Sequence, residues 1–466
     1  MKDLRLTLAW ALENCGATNV GNGLEALKRK HITGVSTDSR TVAKGEVFVA
    51  LAGANFDGHD HAEEALKKGA LAVIAHKPLT GNASALAVTV PDTLVALGDL
   101  ARALRRTQNL KVLGLTGSNG KTTTKEMLSA ILSLKDNALL ATKGNFNNLV
   151  GLPLTLFRAA KNTRTAVLEM GMNHFGEIAR LTEIAEPDVG LITSVGPAHL
   201  EFFGTVSQVA KAKGELYQGL MPSAVAVVNS DEPLLMREAK RFGGNKLLFG
   251  EGPAAQVRAG RAKSQGLGQS FTIYGPGAEK GRRVSLKLLG PHNLRNALAA
   301  AAAALAVGAD WDEIEAGIAA ADNFPGRLFP LKTKGGLLVL DDSYNANPAS
   351  MAAGLKVLAG LKSKVKGAIL GDMLELGRAE NPAHREIGRL AAELNLDFLA
   401  VVGPRSRHTV AAARRAGLAK DMTAEFETPR EAAEWAAAKA KRGTALLVKG
   451  SRSMKLEGAV EFLKNV

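Results

Sequence analysis

Short apolar runs, each long enough for one buried strand, alternate along most of the chain with stretches whose apolar residues recur at helical spacing. This alternation is typical of a largely parallel sheet covered by helices, so the sequence predicts an α/β protein. In such sheets, functional residues lie at the carboxyl ends of the strands. The predicted strands fall into two series, at 111–116, 165–169, 189–193 and 224–229, and at 337–340, 368–370, 398–402 and 445–448.

The same pattern divides the chain into three units. At 466 residues and roughly 150 residues per domain, about three domains are expected. We predict domains at 1–90, 91–325 and 326–466, the last boundary falling at an Asn-Phe-Pro-Gly turn. The first is a smaller mixed α/β unit, the second has a central P-loop-type, largely parallel sheet, and the third is a Rossmann-like α/β unit. Within the second, the Gly-rich segment 255–289 predicts antiparallel strands with mobile turns.

Neither a membrane span nor a secretory signal is expected. The longest uncharged apolar run, 297–309, is Ala-rich and shorter than the roughly 20 residues that cross a bilayer, so it predicts a buried helix. Leu4, Leu8, Ala11 and Leu12 fall at helical spacing between Asp3 and Glu13, which predicts an amphipathic first helix. The single cysteine, Cys15, allows no internal disulfide and suits a reducing compartment, so we expect a cytoplasmic protein.

The charge balance favours anionic partners. The formal net charge is +14 at pH 7, and a surplus of that size attracts polyanions. Nucleic acid is one such partner, but only three Trp and three Tyr are available to stack on bases, and the basic residues are scattered. Phosphorylated small molecules fit the charge equally well.

A glycine-rich turn between a predicted strand and a predicted helix carries the strongest chemical signal. Gly117 and Gly120 allow backbone N–H groups to approach a polyphosphate, Lys121 supplies a positive charge, and the Thr122 hydroxyl can bind Mg²⁺. The spacing departs from the strict P-loop, because Leu115 stands where that motif has its first glycine. The predicted nucleotide-binding residues of this turn are Thr116, Gly117, Ser118, Asn119, Gly120, Lys121, Thr122 and Thr123.

Polar side chains follow the next strands of the same series. Glu169 ends one strand and His199 follows another, so both should lie at the sheet edge that carries the glycine-rich turn, as candidate metal ligands. Three amides, Asn145, Asn147 and Asn148, either bind a peptide or sugar or form a plain Asn-rich turn. The helical segment 211–216 reads by its periodicity as a solvated basic face.

These motifs together resemble the Mur ligases. The matching stretches run in family order through all three predicted units: TGSNGKTTTKEM (116–127), TKGNFNNLVGLPLTL (142–156), LEMGM (168–172), VGPAHLEFFG (195–204), AKGEL (212–216), GPHNLRNALAA (290–300), PGRL (325–328), DDSYNANPASM (341–351), LGDMLELG (370–377) and VKGSRS (448–453). The turn alone would indicate only the wider superfamily. DDSYNANP, GDMLELG and VKGSRS narrow the resemblance to the member that performs the last amino-acid addition.

The resemblance implies a role for each matching residue. Lys121 and Thr122 would hold ATP phosphates and Mg²⁺, and Glu169, His199 and a carbamylated Lys213 would bind a further Mg²⁺. Lys121, Lys213, His199 and Arg327 would form the catalytic set, with Arg327 meeting ATP from the third domain. Further ATP contacts would come from Asn293, Asn296 and Asp342. Substrate contacts would come from Asn145, Asn147, Asn148, Asn345 and Asn347, and, in the uridine-nucleotide segments of the first domain, from Ser36, Thr37, Asp38, Ser39, Arg40, Asp57, Gly58 and His59.

The implied activity is ATP-dependent addition of D-alanyl-D-alanine to UDP-N-acetylmuramoyl-tripeptide, through an acyl phosphate, for peptidoglycan synthesis. Closure of the third domain would assemble the site, and a monomer acting on small molecules is expected. Two alternatives remain within the superfamily, a folylpolyglutamate synthase and a diamino-acid-adding Mur ligase. About 110 residues precede the turn, enough for a UDP-sugar domain that a folylpolyglutamate synthase lacks. The sequence has no Asp-Asn-Pro-Arg motif of the diamino-acid-adding ligase. A nucleic-acid-stimulated ATPase is the alternative from another class.

Overall fold

Three β-sheets follow one another along the sequence in the computed structural model, which describes residue 1, residues 4–265 and residues 267–466. The N-terminal sheet has the strand order β1-β5-β4-β3-β2, in which β1 is antiparallel to β5 and the other neighbours are parallel. Its strands are β1 (Asn19–Val20), β2 (Gly34–Ser36), β3 (Glu46–Val49), β4 (Ala72–Ala75) and β5 (Ala87–Thr89), and the helices of this part are α1 (Leu8–Asn14), α2 (Ala62–Lys67), α3 (Asn82–Ala85) and α4 (Thr93–Arg106).

The central sheet is the largest, with ten strands. Its strands are β6 (Lys111–Thr116), β7 (Leu140–Ala141), β8 (Thr165–Glu169), β9 (Val189–Ile192), β10 (Val225–Asn229), β11 (Asn245–Gly250), β12 (Val257–Ala259), β13 (Lys263–Gln265), β14 (Gly268–Gly275) and β15 (Ala278–Leu286). Its helices are α5 (Lys121–Leu132), α6 (Gly151–Leu156), α7 (Glu177–Ala185), α8 (Leu200–Phe203), α9 (Val206–Gln218), α10 (Pro233–Ala239), α11 (His292–Ala306) and α12 (Trp311–Ala320).

Strand pairing in the central sheet places the glycine-rich turn beside Glu169, one of the predicted metal ligands. The order is β13-β14-β12-β11-β10-β9-β6-β8-β7, with β15 on β14. The pairs from β7 to β12 are parallel, whereas β12, β13 and β15 each pair antiparallel with β14. Because β6 lies between β8 and β9, the segments that follow these three strands meet at one edge of the sheet.

The C-terminal sheet has the order β16-β17-β21-β18-β19-β20, parallel except for the edge strand β16. Its strands are β16 (Phe329–Lys332), β17 (Leu338–Asp342), β18 (Lys366–Gly371), β19 (Phe398–Val402), β20 (Thr423–Phe426) and β21 (Ala445–Lys449). The helices on its faces are α13 (Pro348–Gly360), α14 (Glu380–Glu393), α15 (Arg407–Arg415), α16 (Pro429–Lys439) and α17 (Glu457–Lys464). Every residue of β19 and β21 is buried, as expected for strands covered on both faces.

The hydrophobic cores show which sheets are joined. One cluster runs from Leu8 to Phe242 and includes residues of both the N-terminal and the central sheet. Charged contacts reinforce this junction: Arg102 and Arg106 of α4 both bind Glu186, and Arg180 binds Asp99 at 2.7 Å. The C-terminal sheet instead has two clusters drawn, apart from Leu289, from residues 328–463. The third sheet therefore has cores largely of its own, which Leu289 and the partly buried Leu267 of the central part join.

The predicted α/β class and largely parallel sheets are confirmed, and most strand positions agree within two residues. The strands 111–116, 165–169 and 398–402 have the predicted bounds, and the predicted buried helix corresponds to α11, whose residues 297–304 are at most 1% exposed. The predicted first helix is wrong at its start. Helix α1 begins only at Leu8, where the Thr7 hydroxyl accepts the Trp10 N–H and caps it, and Asp3 lies outside the described residues. No helix among the described residues has the length and apolar character to cross a membrane.

Candidate active site

The glycine-rich turn connects β6 to α5 with no side-chain cap, so the first N–H groups of the helix remain available to a ligand. Gly120 is the N-terminal cap residue of α5 and has a φ of +83°, a conformation that favours glycine. A Cβ at this position would also collide with Oδ1 of Asn296. The turn therefore requires glycine at 120 for two independent reasons.

The segment after β9 holds the turn in place. The Ser118 N–H donates to Ser194 O at 2.9 Å, and the Asn119 N–H donates to Ser194 Oγ at 3.0 Å. In return, the Thr193 hydroxyl donates to Asn119 O at 2.6 Å. A Cβ on Gly117 would collide with that Thr193 hydroxyl. This two-sided contact fixes the backbone of the turn before any ligand binds.

Glu169 lies beside the turn at the end of β8 and is 3% exposed. One carboxylate oxygen accepts the Thr122 hydroxyl at 3.0 Å and the other accepts the Asn147 amide at 3.0 Å. No Lys, Arg or His forms an ion pair with Glu169 among the described residues. A buried carboxylate held only by neutral donors is suited to binding a cation.

Lys121 is the first residue of α5, and its Nζ donates to Gly117 O at 2.6 Å. Burial lowers the pKa of Lys121, the nearby charge of Glu169 raises it, and the charge of Arg327 lowers it further. The ammonium group thus folds back over the turn and has no carboxylate of its own in the described chain. It is placed to neutralise an anion that approaches the turn.

Lys213 gives the clearest departure from the pattern read in the sequence. The periodicity of segment 211–216 predicts a solvated basic face, but Lys213 is 1% exposed within α9. Burial, followed by the charge of Lys121, lowers the pKa of Lys213 far below its ordinary value, and Glu169 opposes this shift. No hydrogen bond or ion pair to its ammonium group occurs among the described residues. Only Lys211 fits the expectation, since it is exposed and lies over the ring of Phe175.

His199 precedes α8 and has a positive φ of +56°. Its Nδ1 is 2.7 Å from Oε2 of Glu375, which follows β18 in the C-terminal sheet. Among the described residues, no three His, Cys, Asp or Glu side chains are close enough together to hold a metal ion. The oxygen donors present, Glu169 and Thr122, nonetheless suit Mg²⁺, which binds one or two carboxylates, substrate phosphates and waters.

Arg327 reaches the turn from the third sheet. Its Nη2 donates to Thr122 Oγ1 at 3.2 Å, and its guanidinium group lies 4.3 Å from the centre of the Tyr344 ring. Arg452 lies 5.6 Å from the centre of the same ring. The Asn347 amide makes a second contact, donating to Asn119 Oδ1 at 2.9 Å. The structure thus brings residues of the third sheet into contact with the predicted nucleotide turn.

The connection that carries Arg327 is bound to the end of β17. Gly326 has a φ of +75° and Leu328 a φ of +51°, and their N–H groups donate to the carboxylates of Asp341 and Asp342 at 3.0 and 3.2 Å. Arg327 is therefore held as part of the C-terminal unit, although it contacts the central one.

Asp342, predicted to contact ribose, is 7% exposed and pairs with Lys449 at 2.7 Å. Burial raises the pKa of Asp342, and Lys449 opposes the shift. Lys449 also donates to the Asn345 carbonyl at 3.0 Å. The Asn345 side chain is turned to the local backbone, where its Oδ1 accepts the Ala346 N–H.

The predicted adenine-side residues are buried beneath the turn. Asn293 and Asn296 are 4% and 8% exposed, and the Asn296 amide donates to Asn293 Oδ1 at 2.8 Å. The Asn293 amide donates to Leu289 O at 2.7 Å. Oδ1 of Asn296 also occupies the space that a Cβ on Gly120 would need.

The three clustered amides divide between two roles. Asn147 binds Glu169, as described, whereas Asn148 accepts the Val150 and Gly151 N–H groups at the start of α6. Asn145 is exposed. Asn148 therefore stabilises the turn that leads into α6, the plain alternative for such a cluster.

The N-terminal segments lie at the carboxyl edge of their own sheet. Asp38 pairs with Arg40 at 2.7 Å, and hydrogen bonds from Arg40 lower the pKa of Asp38 to about 2. Ser36 and Thr37 are partly exposed, and Ser39 donates to Glu64. Among the described residues, no hydrogen bond or ion pair joins this edge to the nucleotide turn.

His59 is largely committed inside the protein. Its Nδ1 contacts Asp57 at 2.5 Å, its Nε2 accepts the His76 N–H at 3.2 Å, and it is 5% exposed. Hydrogen bonds from Lys77 and His59 lower the pKa of Asp57. Gly58 donates its N–H to Leu51 O at 2.8 Å. The exposed part of this predicted segment is therefore Asp57 with Lys77 rather than the imidazole.

Sequence reasoning missed three residues of this site. Glu375 and Lys449 stand in the GDMLELG and VKGSRS stretches, and Tyr344 in DDSYNANP. Each follows or ends a strand of the C-terminal series, the position at which functional residues are expected. That signal is present in the sequence, but their partners, His199, Asp342 and Arg327, could not be assigned without the structure.

Comparison with known proteins supports these assignments of fold. Three family descriptions match the chain: Mur ligase family, catalytic domain, over residues 31–105; Mur ligase middle domain, over residues 115–304; and Mur ligase, glutamate ligase domain, over residues 326–452. The UDP-N-acetylmuramoyl-tripeptide--D-alanyl-D-alanine ligase of Escherichia coli is 39% identical over 434 residues, which are 92% of this chain and 93% of that protein.

Solved structures agree with the sequence relatives. MurF from Acinetobacter baumannii is 33% identical with a TM-score of 0.88, covering 98% of each chain. MurF ligase from Thermotoga maritima, in complex with ADP, is 32% identical with a TM-score of 0.83, covering 92% of this chain and 96% of that one. With identity above 30% over more than nine-tenths of its length, this chain belongs to the Mur ligase family.

Proposed function

We propose that this protein is an ATP-dependent ligase that joins D-alanyl-D-alanine to UDP-N-acetylmuramoyl-tripeptide and releases ADP and phosphate. The observation that carries the proposal is the contact of Arg327 with Thr122, which brings a cation of the third sheet to the phosphate turn of the second. An arginine that arrives from another unit is suited to stabilising charge on a transferring phosphoryl group. The named function of the relatives, at high coverage, supports the same activity.

The chemistry proceeds in two displacements. The terminal carboxylate of the tripeptide attacks the γ-phosphorus of ATP, so that ADP leaves and an acyl phosphate forms. The amine of D-alanyl-D-alanine then attacks the acyl carbon through a tetrahedral intermediate, and phosphate leaves as the amide forms. Lys121 and Arg327 carry the positive charge that faces the transferred group, while the first N–H groups of α5 bind the remaining phosphates.

Glu169 and Thr122 are the residues that would hold Mg²⁺ at the turn, with His199 as a further ligand. Bound there, Mg²⁺ neutralises charge on the phosphate oxygens. The buried carboxylate of Glu169, which forms no ion pair among the described residues, supports this assignment. Asn147 orients that carboxylate by donating to its second oxygen.

We propose that Lys213 is carbamylated. Its amine is buried and forms no ion pair among the described residues, and burial lowers its pKa well below the ordinary lysine value, which favours the neutral form that attacks CO₂. Nitrogen bonds to the carbon of CO₂ and loses one proton to water, giving a carbamate. An ammonium group at this position would repel Mg²⁺ and Lys121, whereas the negatively charged carbamate attracts both.

The three predicted domains take complementary roles in this proposal. Residues 1–90 would bind the UDP-sugar end of the tripeptide through Ser36, Thr37, Asp38, Ser39, Arg40, Asp57 and Gly58. Residues 91–325 would bind ATP, and residues 326–466 would close over it, with Asp342 on the ribose side and Asn345 and Asn347 near the peptide. Closure excludes water that would otherwise hydrolyse the acyl phosphate. We continue to expect a cytoplasmic monomer. Light scattering checks the oligomeric state.

A coupled assay tests the activity. Phosphate release should require both UDP-N-acetylmuramoyl-tripeptide and D-alanyl-D-alanine, and the pentapeptide product should appear by mass spectrometry. Tripeptides ending in meso-diaminopimelate and in lysine, compared in parallel, identify the preferred substrate. Three results would overturn the proposal in favour of an alternative. They are ATP hydrolysis stimulated by DNA or RNA, ligation of a free diamino acid to the muramyl peptide, and ligation of glutamate to a folate.

A further inference from the structure

His199, one of the predicted metal ligands, contacts a residue of the C-terminal unit. His199 belongs to the segment after β9, and Glu375 belongs to the segment after β18, 176 residues later. Besides the contact of 2.7 Å between Nδ1 and Oε2, the Glu201 N–H donates to the Glu375 carbonyl at 3.0 Å. The side chain and the backbone of Glu375 are therefore both engaged by the central unit.

The backbone on both sides of this contact is held in an uncommon conformation. His199 has a φ of +56° and Glu375 a φ of +61°, although neither is glycine. Such conformations cost free energy and persist where the surroundings enforce them, which points to a functional constraint. Gly377, with a φ of +53°, allows close approach, because a Cβ there would lie 3.2 Å from Cα of Glu201.

The contact also determines which ring nitrogen of His199 is available. Oε2 of Glu375 lies 2.7 Å from Nδ1, so Nδ1 faces Glu375 and Nε2 is the ring nitrogen that this contact leaves free. The two atoms are in close contact but do not form an aligned hydrogen bond among the described residues. Metal-binding histidines are commonly oriented in this way by a carboxylate on their other nitrogen.

We propose that Glu375 is a positioning residue that couples apposition of the C-terminal sheet to completion of the metal site at His199. The inference rests on the proposed function, since it takes His199 as a ligand of the catalytic divalent cation. Glu375 belongs to the C-terminal unit, whose cores are drawn almost wholly from its own residues, so movement of that unit away from the central one would leave His199 without this contact. Closure of the C-terminal unit therefore strengthens metal binding at His199, and metal binding favours closure to the same extent.

The test uses Mn²⁺ as the probe, titrated into the full chain with a non-hydrolysable ATP analogue and followed by electron paramagnetic resonance. Removal of such an orienting carboxylate typically weakens metal binding about 10- to 100-fold. We expect a loss of that size in Glu375→Ala and an intermediate loss in Glu375→Gln, which keeps the shape without the charge. Glu434→Ala is the matched control, since Glu434 is an exposed glutamate of the same unit that pairs with Arg430.

A second variant distinguishes coupling between the two units from a local effect of removing the Glu375 carboxylate. Gly377→Ala keeps Glu375 but obstructs its approach to Glu201, so it should weaken Mn²⁺ binding and enlarge the radius of gyration in X-ray scattering. Thermal unfolding confirms that each variant is folded. Wild-type Mn²⁺ affinity in either Glu375→Ala or Gly377→Ala would overturn the inference. Failure of the wild type to make pentapeptide, with the Mn²⁺ effects intact, would instead count against the proposed function alone.

Discussion

The Asn347 side chain bridges two parts of the molecule that are 228 residues apart. Its Nδ2 donates to Asn119 Oδ1 in the phosphate turn at 2.9 Å, while its own Oδ1 accepts the Ser350 N–H and caps α13. Asn347 thus caps a helix of the C-terminal unit and also contacts the glycine-rich turn of the central unit. Its two roles can be separated by substitution.

Asn347→Ser should keep the cap of α13 and lose the bridge, because serine caps helices well but is too short to reach Asn119. A neutral hydrogen bond contributes about 1 kcal/mol, so the KM for ATP should rise about fivefold with little change in thermal stability. Asn347→Ala should show the same rise and lose about 1 kcal/mol of stability as well. An unchanged KM for ATP in Asn347→Ser would show that the bridge does not assist nucleotide binding.

Gly120→Ala should damage ATP binding beyond the cost of its backbone conformation. An alanine there has both a positive φ and a collision with Asn296. Gly176→Ala is the matched control, since Gly176 has a φ of +86° but no heavy atom within 4 Å of the point that a Cβ would occupy. The positive φ should cost both variants about 1–2 kcal/mol of unfolding free energy, and the collision with Asn296 should add to the loss in Gly120→Ala. Only Gly120→Ala should weaken ATP binding, by about tenfold or more in calorimetry. Equal ATP affinities would contradict the role assigned to the turn.

The buried pair of Asp342 and Lys449 should show strong coupling in a double-mutant cycle. Lys449→Met leaves a buried carboxylate without its cation and should cost about 3–5 kcal/mol in urea unfolding. Asp342→Asn combined with Lys449→Met removes both charges and should restore a large part of that loss. Additive losses would mean that the two groups do not interact in the folded protein.

The elements of the fold and the chemistry of the turn can be predicted from the sequence, because both are encoded locally. Continuous apolar runs such as 398–402 are read directly as buried strands, and the spacing of Gly117, Gly120 and Lys121 is confined to one turn. The start of α1 is not predicted correctly, because the apolar spacing continues past its cap, Thr7. Helix ends depend on a single hydrogen bond, which apolar spacing does not report.

Contacts between units could not be predicted in this way. The pairing of His199 with Glu375 joins residues whose separation in sequence gives no period or motif. Lys213 illustrates a second reason: it lies at helical spacing from the buried residues Val209 and Leu216, but a lysine is ordinarily solvated, so its residue type hides its place on the buried face of α9. Such residues are identified by resemblance or by structure, not by composition.

Lys213→Ala should be almost inactive, because the variant has no amine to carry a carbamate. A short carboxylic acid such as acetate or propionate, added to this variant, should restore part of the activity by supplying an anionic oxygen in the vacated space. Lys211→Ala is the control on the same helix, since Lys211 is exposed, and it should keep nearly wild-type activity. Full activity of Lys213→Ala without added acid would remove the carbamate from the mechanism.

His292 should make the protein sensitive to acid. Burial, together with the charges of Lys449 and Arg295, lowers the pKa of His292 from 6.5 to about 4, and its Nδ1 is buried without a hydrogen-bond partner among the described residues. Because the unfolded chain takes up a proton near pH 6.5 and the folded chain does not, the unfolding free energy should fall as the pH drops from about 6.5 towards 4. The slope approaches about 1.4 kcal/mol per pH unit, and the total is about 3 kcal/mol.

The variant His292→Gln isolates this contribution, because all other titrating groups are shared with the wild type. The wild type should lose stability relative to His292→Gln between pH 7 and pH 5 in urea unfolding followed by circular dichroism. Above pH 7 the difference between the two proteins should be constant, since the imidazole is neutral in both the folded and the unfolded chain. A difference that stayed constant down to pH 5 would mean that His292 takes up its proton as readily in the folded protein as in the unfolded chain.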